Sequence, residues 1–415
     1  MFVKRCLTQN ILEALASFPV VFVNGPRQAG KSTLVQMLAR KAWPAAYVTF
    51  DEASQLGAAQ ANPESFLRGY ENRLILDEVQ MVPDLFRTLK MLVDESRLSR
   101  KHRANGRYLL TGSAAILALP QLSSALVGRM DVLTLYPLSA VELAGGRANF
   151  LGRLFDAGFK AGKLTGGKTL MEMIRRATFP EIMDADDQVR YRWYESYLTT
   201  ILQREVHQIA DIAKLGVLPN LLRVLASRAG SLINDADLAR SLGQNAVTTK
   251  NYRKLLRMLF LTVDVPPWFR NIGKRLVKAP KGYLIDTSLL CHVQGYVLED
   301  VAQKSPHLFG SIFENFVASE LVKQLAWSSS RAQLFHFRTS DNKEVDFVLE
   351  QPGGRLAGIE VKARDVVSID DFNGLKELQS KTGEDFVRGV VLYRGRSIIP
   401  FGDKLWAVPV EVLWR

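Results

Sequence analysis

Short apolar runs recur through the first third of the chain. They are Val20-Val21-Phe22-Val23, Tyr47-Val48-Thr49-Phe50, Leu74-Ile75-Leu76 and Tyr108-Leu109-Leu110, each bounded by polar or glycine-containing segments. Runs this short and rich in β-branched and aromatic residues predict buried strands. The stretch 33–40 between them places apolar residues at helical spacing. Strands alternating with helices predict an α/β fold with a parallel sheet and helices on both faces.

Further along, residues 188–212 predict one long helix in which Trp193, Tyr197, Leu198 and Ile201 share a face, a spacing that indicates core packing. Residues 221–229 predict a helix, Asn234 or Asp235 can cap a second over 237–242, and 247–260 predicts a third after a Gly243-Gln244-Asn245 turn. Leu261-Thr-Val-Asp-Val265 and Tyr283-Leu-Ile-Asp286 then return as strands. That order is the order of a winged helix-turn-helix. From residue 296 the pattern changes again. Residues 308–325 predict a helix, while 334–338, 344–350 and 356–361 predict strands joined through Asp341-Asn342 and Gln351-Pro-Gly-Gly354. Glycine breaks near 144–146 and 162–167 help divide the chain. The expected domains are a P-loop core over 1–145, a helical lid or linker over 146–212, a winged helix over 213–295 and a restriction-endonuclease-like α/β domain over 296–415.

Between the first strand and helix stands Gly25-Pro26-Arg27-Gln28-Ala29-Gly30-Lys31-Ser32, a complete G-x-x-x-x-G-K-[ST] loop. Its glycines let the backbone aim N–H groups at phosphate oxygens, and the helix N-terminus adds to the attraction. Residues 25–33, Thr33 included, are therefore the expected ATP-binding segment. Lys31 reaches the β- and γ-phosphates, and the Ser32 hydroxyl holds Mg²⁺. Leu74-Ile-Leu-Asp77-Glu78 is a strand ending in two acids. Asp77 is expected in the Mg²⁺ shell and Glu78 as the residue that orients or deprotonates water. Thr111 and Ser113, after the strand at 108–110, are candidate γ-phosphate sensors. ATP and Mg²⁺ are the expected cofactors.

A second constellation lies near the C-terminal end. Alternation puts Glu344 and Asp346 on one strand face, and Glu360 and Lys362 likewise on one face. With Glu314 on the preceding helix, acid, hairpin, then acid-x-Lys matches the arrangement in which carboxylates hold Mg²⁺ and a lysine steadies hydroxide. Charged residues alternating along an exposed strand produce the same pattern without cleavage.

Composition narrows the partners. The chain has 415 residues, a net charge of +12, two cysteines and five histidines. That excludes a disulfide framework or zinc cluster and makes an anionic partner plausible. Between 250 and 281 stand nine basic residues, Lys250, Arg253, Lys254, Arg257, Arg270, Lys274, Arg275, Lys278 and Lys281, against one acid, Asp264. Such density suits nucleic-acid phosphates, and equally a docking module with a solvated basic face. A second basic group is Arg97, Arg100, Lys101, Arg103 and Arg107. Residues 116–127 are too short and polar for a membrane span. Glu13 interrupts the signal-like Lys4-Arg5 and 11–23 pattern, so a cytoplasmic protein is expected.

Taken together, Gly25-Pro26-Arg27-Gln28-x-Gly-Lys-Ser, Leu76-Asp77-Glu78-Val79-Gln80, Leu110-Thr111-Gly112-Ser113, Leu126-Val127-Gly128-Arg129, Phe179-Pro180-Glu181, Phe313-Glu314-Asn315 and the paired Glu344-Val-Asp346-Phe and Ile359-Glu360-Val361-Lys362-Ala363 resemble one family. It is the AAA-type ATPases that carry a C-terminal domain of unknown function 4143. The resemblance spans nearly the whole chain. It implies an oligomeric P-loop ATPase, a homo-oligomeric ring with a hexamer as one size, in which Arg129 is the arginine finger offered to a neighbour's ATP. By position alone Arg129 could equally cap a helix or pair with Asp131. Ala177-Thr178 and Arg204-Glu205 depart from the family pattern, away from the ATP loop. The expected function is a Mg²⁺-dependent ATP hydrolase, a motor or switch acting on DNA, including branched or recombining DNA. A signalling switch that recruits a protein, and an ATP-controlled nuclease, are the rivals.

Overall fold

The computed structural model describes all residues except 1, 100–103, 113–125, 147, 206–215, 272, 274 and 276–277. In the N-terminal part the apolar runs form the strands Val20–Asn24 (β1), Ala46–Thr49 (β2), Leu74–Asp77 (β3) and Tyr108–Thr111 (β4), joined by Met130–Thr134 (β5). They make one parallel sheet in the order β2-β3-β4-β1-β5. β1, β3 and β4 are buried along their whole length, which is why they read as unbroken apolar runs. Alternate residues face opposite helix layers. Val20, Phe22, Leu74, Leu76 and Leu110 pack with the helix Leu85–Ser99. Val21, Val23, Ile75 and Leu109 pack with Thr8–Ser17 and Lys31–Arg40. Because β4 lies between β3 and β1, Thr111 stands between the phosphate loop and the strand that ends in Asp77.

After residue 138 one hydrophobic core continues to Trp414. The helix expected over 188–212 is described as far as residue 205, and 206–212 lie outside the described residues. It runs over Asp187–Thr200, then widens into a π-helical turn at Ile201–Glu205. The short strand Gly162–Lys163 (β6) pairs with Ser397 and Ile398 at the edge of the C-terminal sheet. Helices Val217–Ser227, Asp235–Leu242 and Ala246–Met258 follow, the last two capped by Asn234 and Asn245. Thr262–Val265 (β7) and Lys281–Leu284 (β8) form an antiparallel hairpin behind them.

The C-terminal strands are Gln333–Arg338 (β9), Glu344–Glu350 (β10), Leu356–Lys362 (β11), Phe386–Tyr393 (β12), Ser397–Pro400 (β13) and Leu405–Pro409 (β14). With β6 they form a mixed seven-stranded sheet ordered β6-β13-β14-β12-β11-β10-β9. The helix Pro306–Trp327 covers one face, against Phe347, Ile359, Val390 and Leu392. The helix Asn373–Thr382 covers the other, against Val345, Val348 and Val391. Among the described residues, no helix is long and apolar enough to cross a membrane.

Asn315 ties the central helix to β8. Its Oδ1 accepts the Leu284 N–H at 2.8 Å, while Nδ2 donates to the Leu284 carbonyl at 3.1 Å and the Thr287 hydroxyl at 3.0 Å. The side chain is 0% exposed. Leucine at this position fills the space but strands a buried N–H and C=O, so Asn315→Leu should cost about 2–4 kcal/mol. A fall in the urea midpoint checks this; an unchanged midpoint refutes it.

Candidate functional site

The phosphate loop is built by backbone geometry that its sequence permits. Gly25 (φ 146°) and Gly30 (φ 89°) adopt conformations that favour glycine, and Gln28 lies in the left-handed region at φ 62°. A Cβ on Gly25 would fall 2.2 Å from the Leu135 carbonyl oxygen, so only glycine fits. The helix Lys31–Arg40 starts from Gly30, which has no side chain to cap it, and no acid lies in its first turn. Its N-terminal N–H groups therefore suit an anion. Lys31 is buried and folded back, with Nζ donating to the carbonyls of Gly25 (3.1 Å) and Pro26 (2.9 Å). Pro26 and Ala29 are buried, Ser32 is half-buried, and Arg27, Gln28 and Thr33 are exposed. Asn24, just before the loop, keeps a buried Oδ1 with no hydrogen-bond partner. An uncapped helix end, a retractable lysine and an orphaned polar atom fit a bound polyphosphate.

Asp77 ends β3 buried and held from two sides. Tyr47 Oη donates to Oδ2 at 2.6 Å, and the Thr111 hydroxyl donates to Oδ1. Thr111 also accepts the Glu78 N–H at 3.3 Å. Burial, then the hydrogen bond to Asp77, push the Tyr47 hydroxyl up to about 12, so it stays a donor at neutral pH. Glu78 takes a left-handed backbone at φ 58°, a costly conformation that turns its carboxylate out of the strand line. The Gln80 amide donates to that carboxylate. Ser32 and Asp77 are a hydroxyl and a carboxylate, hard oxygen donors of the kind Mg²⁺ prefers. Ser113 lies outside the described residues.

Three further contacts bear on the loop. Arg5 is buried, with Nη1 donating to the Ala29 carbonyl at 2.7 Å, Nη2 to the Tyr136 carbonyl at 2.5 Å and Nε to Glu142 at 3.1 Å. A Cβ on Gly30 would meet Pro180 Cγ at 3.6 Å, and the Tyr197 hydroxyl approaches the Arg27 carbonyl at 3.5 Å. Sequence reasoning passed over Arg5 and Tyr47 as site residues. Neither sits in a motif, and only the tertiary fold brings them to the loop. Arg129 does not pair with Asp131. Its guanidinium grips Asp94 in a two-pronged pair, at 2.7 and 2.9 Å, while Asp131 accepts the Val132 N–H.

The second constellation also assembles, around a residue that it did not include. Lys281 at the start of β8 is 2% exposed, with Nζ 3.0 Å from Glu314, 2.7 Å from Glu344 and 3.0 Å from Asp346. Burial lowers the affinity of this amine for its proton, but the three carboxylates outweigh that and raise it. Glu360 pairs with Lys362 at 2.8 Å and accepts the Asp346 N–H at 3.4 Å. Burial first, and the Asp346 charge second, raise Glu314 and Glu360 above the ordinary carboxylate range.

The basic stretch of 250–281 is more neutralised than its composition implies. Arg253 is half-wrapped by Asp235 and Asp264, Arg257 pairs with Asp264, Arg270 with Asp385 and Arg275 with Glu350. Lys250, Lys254 and Lys278 are exposed, and Lys274 lies outside the described residues. In the other basic group, Arg107 donates to the Tyr70 and Glu71 carbonyls.

Comparison with known proteins agrees with the motifs. Residues 17–144 match the AAA domain, 167–300 a domain of unknown function (DUF8612) and 309–413 a domain of unknown function (DUF4143). Uncharacterized proteins of Mycobacterium tuberculosis and Mycobacterium bovis are each 30% identical over 411 residues, which is 98% of this chain and 84% of theirs. Among solved structures, a Walker-type ATPase of Pyrococcus abyssi aligns with 71% of this chain and 96% of its own at 12% identity and a TM-score of 0.41. The chain thus belongs to the family of AAA-type ATPases that carry a C-terminal domain of unknown function 4143.

Proposed function

We propose that the protein is a Mg²⁺-dependent ATP hydrolase working as an oligomeric switch or motor. The observation that carries this reading is the junction of the phosphate loop with Asp77, Glu78 and Thr111 across adjacent strands. Backbone N–H groups of residues 27–33 would bind the phosphates, and Lys31 would leave its two carbonyls to meet the β- and γ-oxygens. Ser32 and Asp77 would hold Mg²⁺, which when bound draws charge from the phosphate oxygens. Glu78, steadied by Gln80, accepts the proton of the attacking water at a carboxylate oxygen. Arg129 serves a neighbouring subunit after exchanging Asp94 for phosphate oxygen.

The proposed anionic partner is DNA, met by the helix Ala246–Met258 in the manner of a winged helix. Lys250, Lys254 and Arg257 recur at helical spacing on its exposed side. The neutralisation of Arg253, Arg270 and Arg275 supports a second reading, in which this region recruits a protein and DNA is incidental.

Lys31→Ala should abolish ATP binding and turnover, whereas Glu78→Gln should retain ATP and lose about 10²–10⁴-fold in kcat. Single-turnover kinetics with labelled ATP separates the two, and wild-type turnover in either variant refutes the assignment. DNA affinity should fall with a log–log salt slope of about −3, the value for some three phosphate contacts, rather than about −8 for nine. No binding to linear, branched or single-stranded DNA at low salt removes the DNA role in favour of the protein-recruiting switch.

A further inference from the structure

The acid, hairpin, acid-x-Lys arrangement implies a divalent cation, and the residues present do not fit one. A magnesium ion needs oxygen ligands at about 2.0–2.1 Å in near-octahedral array. Here the space between Glu314, Glu344 and Asp346 is filled by the Lys281 ammonium, whose three donors meet three carboxylates at 3.0, 2.7 and 3.0 Å. Further donors hold these carboxylates. Asp346 Oδ2 accepts the Val361 N–H at 2.9 Å, Glu314 Oε1 takes the Tyr283 hydroxyl at 2.7 Å, and Glu360 is held by Lys362 and by the Asp346 N–H. Gly230 packs against Glu314 so closely that a Cβ there would lie 3.0 Å from its carboxylate, closing the approach from that side. Among the described residues, no group of three or more His, Cys, Asp or Glu side chains could hold a metal ion.

We infer that Lys281 is a tethered cation standing in the metal position of this carboxylate centre, and that it locks the β7–β8 hairpin onto the C-terminal sheet. The lock follows from where the partners reside. Lys281 belongs to the hairpin, Glu314 to the central helix, and Glu344 and Asp346 to β10. Withdrawing Lys281 while the rest of the packing holds would leave Asp346 and its neighbouring carboxylates without counter-charge, which is strongly unfavourable. A divalent ion and the ammonium cannot share the centre, since both claim the same oxygens and repel one another. The centre therefore takes no divalent ion, and supports no metal-dependent phosphodiester cleavage, while the hairpin is seated.

Mn²⁺ titrated into the full chain without nucleotide, followed by loss of the free-ion EPR signal, tests this independently of the ATP reading. The wild type should show no Mn²⁺ site that Asp346→Asn abolishes. Lys281→Met should gain such a site, at least about tenfold tighter than any in the wild type, and lose it again in the Lys281→Met/Asp346→Asn pair. If Lys281→Met does not fold, adding Glu344→Gln removes one stranded charge and that pair is titrated instead. An Asp346-dependent Mn²⁺ site in the wild type overturns the inference whatever the variants do. A folded Lys281 variant that gains no site overturns it as well.

Discussion

The helix Pro306–Trp327 imposes the constraint around which the other parts are arranged. It is buried on nearly all sides, and yet five of its buried side chains are polar: Asn315, Ser319, Glu320, Lys323 and Gln324. A polar group inside a protein must be paired or it costs about 1–3 kcal/mol. The partners come from distant segments. Asn315 holds Leu284, Glu320 accepts the Ala140 N–H at 2.7 Å, Lys323 donates to the Leu138 carbonyl at 3.3 Å and Gln324 to the Leu413 carbonyl at 2.8 Å. Ser319 is satisfied locally by the Phe316 carbonyl. One rod thus secures the exit of the nucleotide domain, the hairpin and the chain's last residues. Glu314, facing Lys281, and Glu320, facing Ala140, are six residues apart, or about 9 Å along the axis.

How much of this was legible in the sequence depends on whether the signal is local. β1, β3 and β4 announce themselves because both faces are covered, and the phosphate loop because its chemistry is contiguous, whereas the partly exposed β5 was not read. The cap at 234 was readable for the same reason, whereas Asn245 was read only as the end of a turn. Lys281 was counted as one positive charge among nine, since nothing within its own neighbourhood shows that carboxylates 33 to 65 residues downstream will enclose it. Arg5 is the same case toward the loop, reaching Glu142 across 137 residues. Within the helix at 188–212, apolar spacing persists through Ile201 and gives no sign that the backbone widens to a π-helical turn there.

The neutralised arginines change how the net charge is to be understood. A formal +12 describes the composition, whereas Arg253, Arg275 and Lys281 spend their charge inside the fold and Arg257 and Arg270 pair with acids at its surface. Buried or half-buried pairs such as Arg253 with Asp264 feel little salt, so they hold the hairpin under conditions that weaken exposed contacts. The same residues that suggested a nucleic-acid surface are in large part structural cations. Among the described residues of this stretch, Lys250 and Lys254 on one helix and Lys278 beyond it remain outward.

The posture of Lys31 has a consequence for how nucleotide arrives. Its ammonium is held by two loop carbonyls at 3.1 and 2.9 Å. In the proposed ATP reading, entry of a triphosphate is a substitution, in which the ammonium exchanges neutral carbonyl acceptors for anionic phosphate oxygens. The heat released on association is the difference between the two sets, smaller than a tally of phosphate contacts suggests.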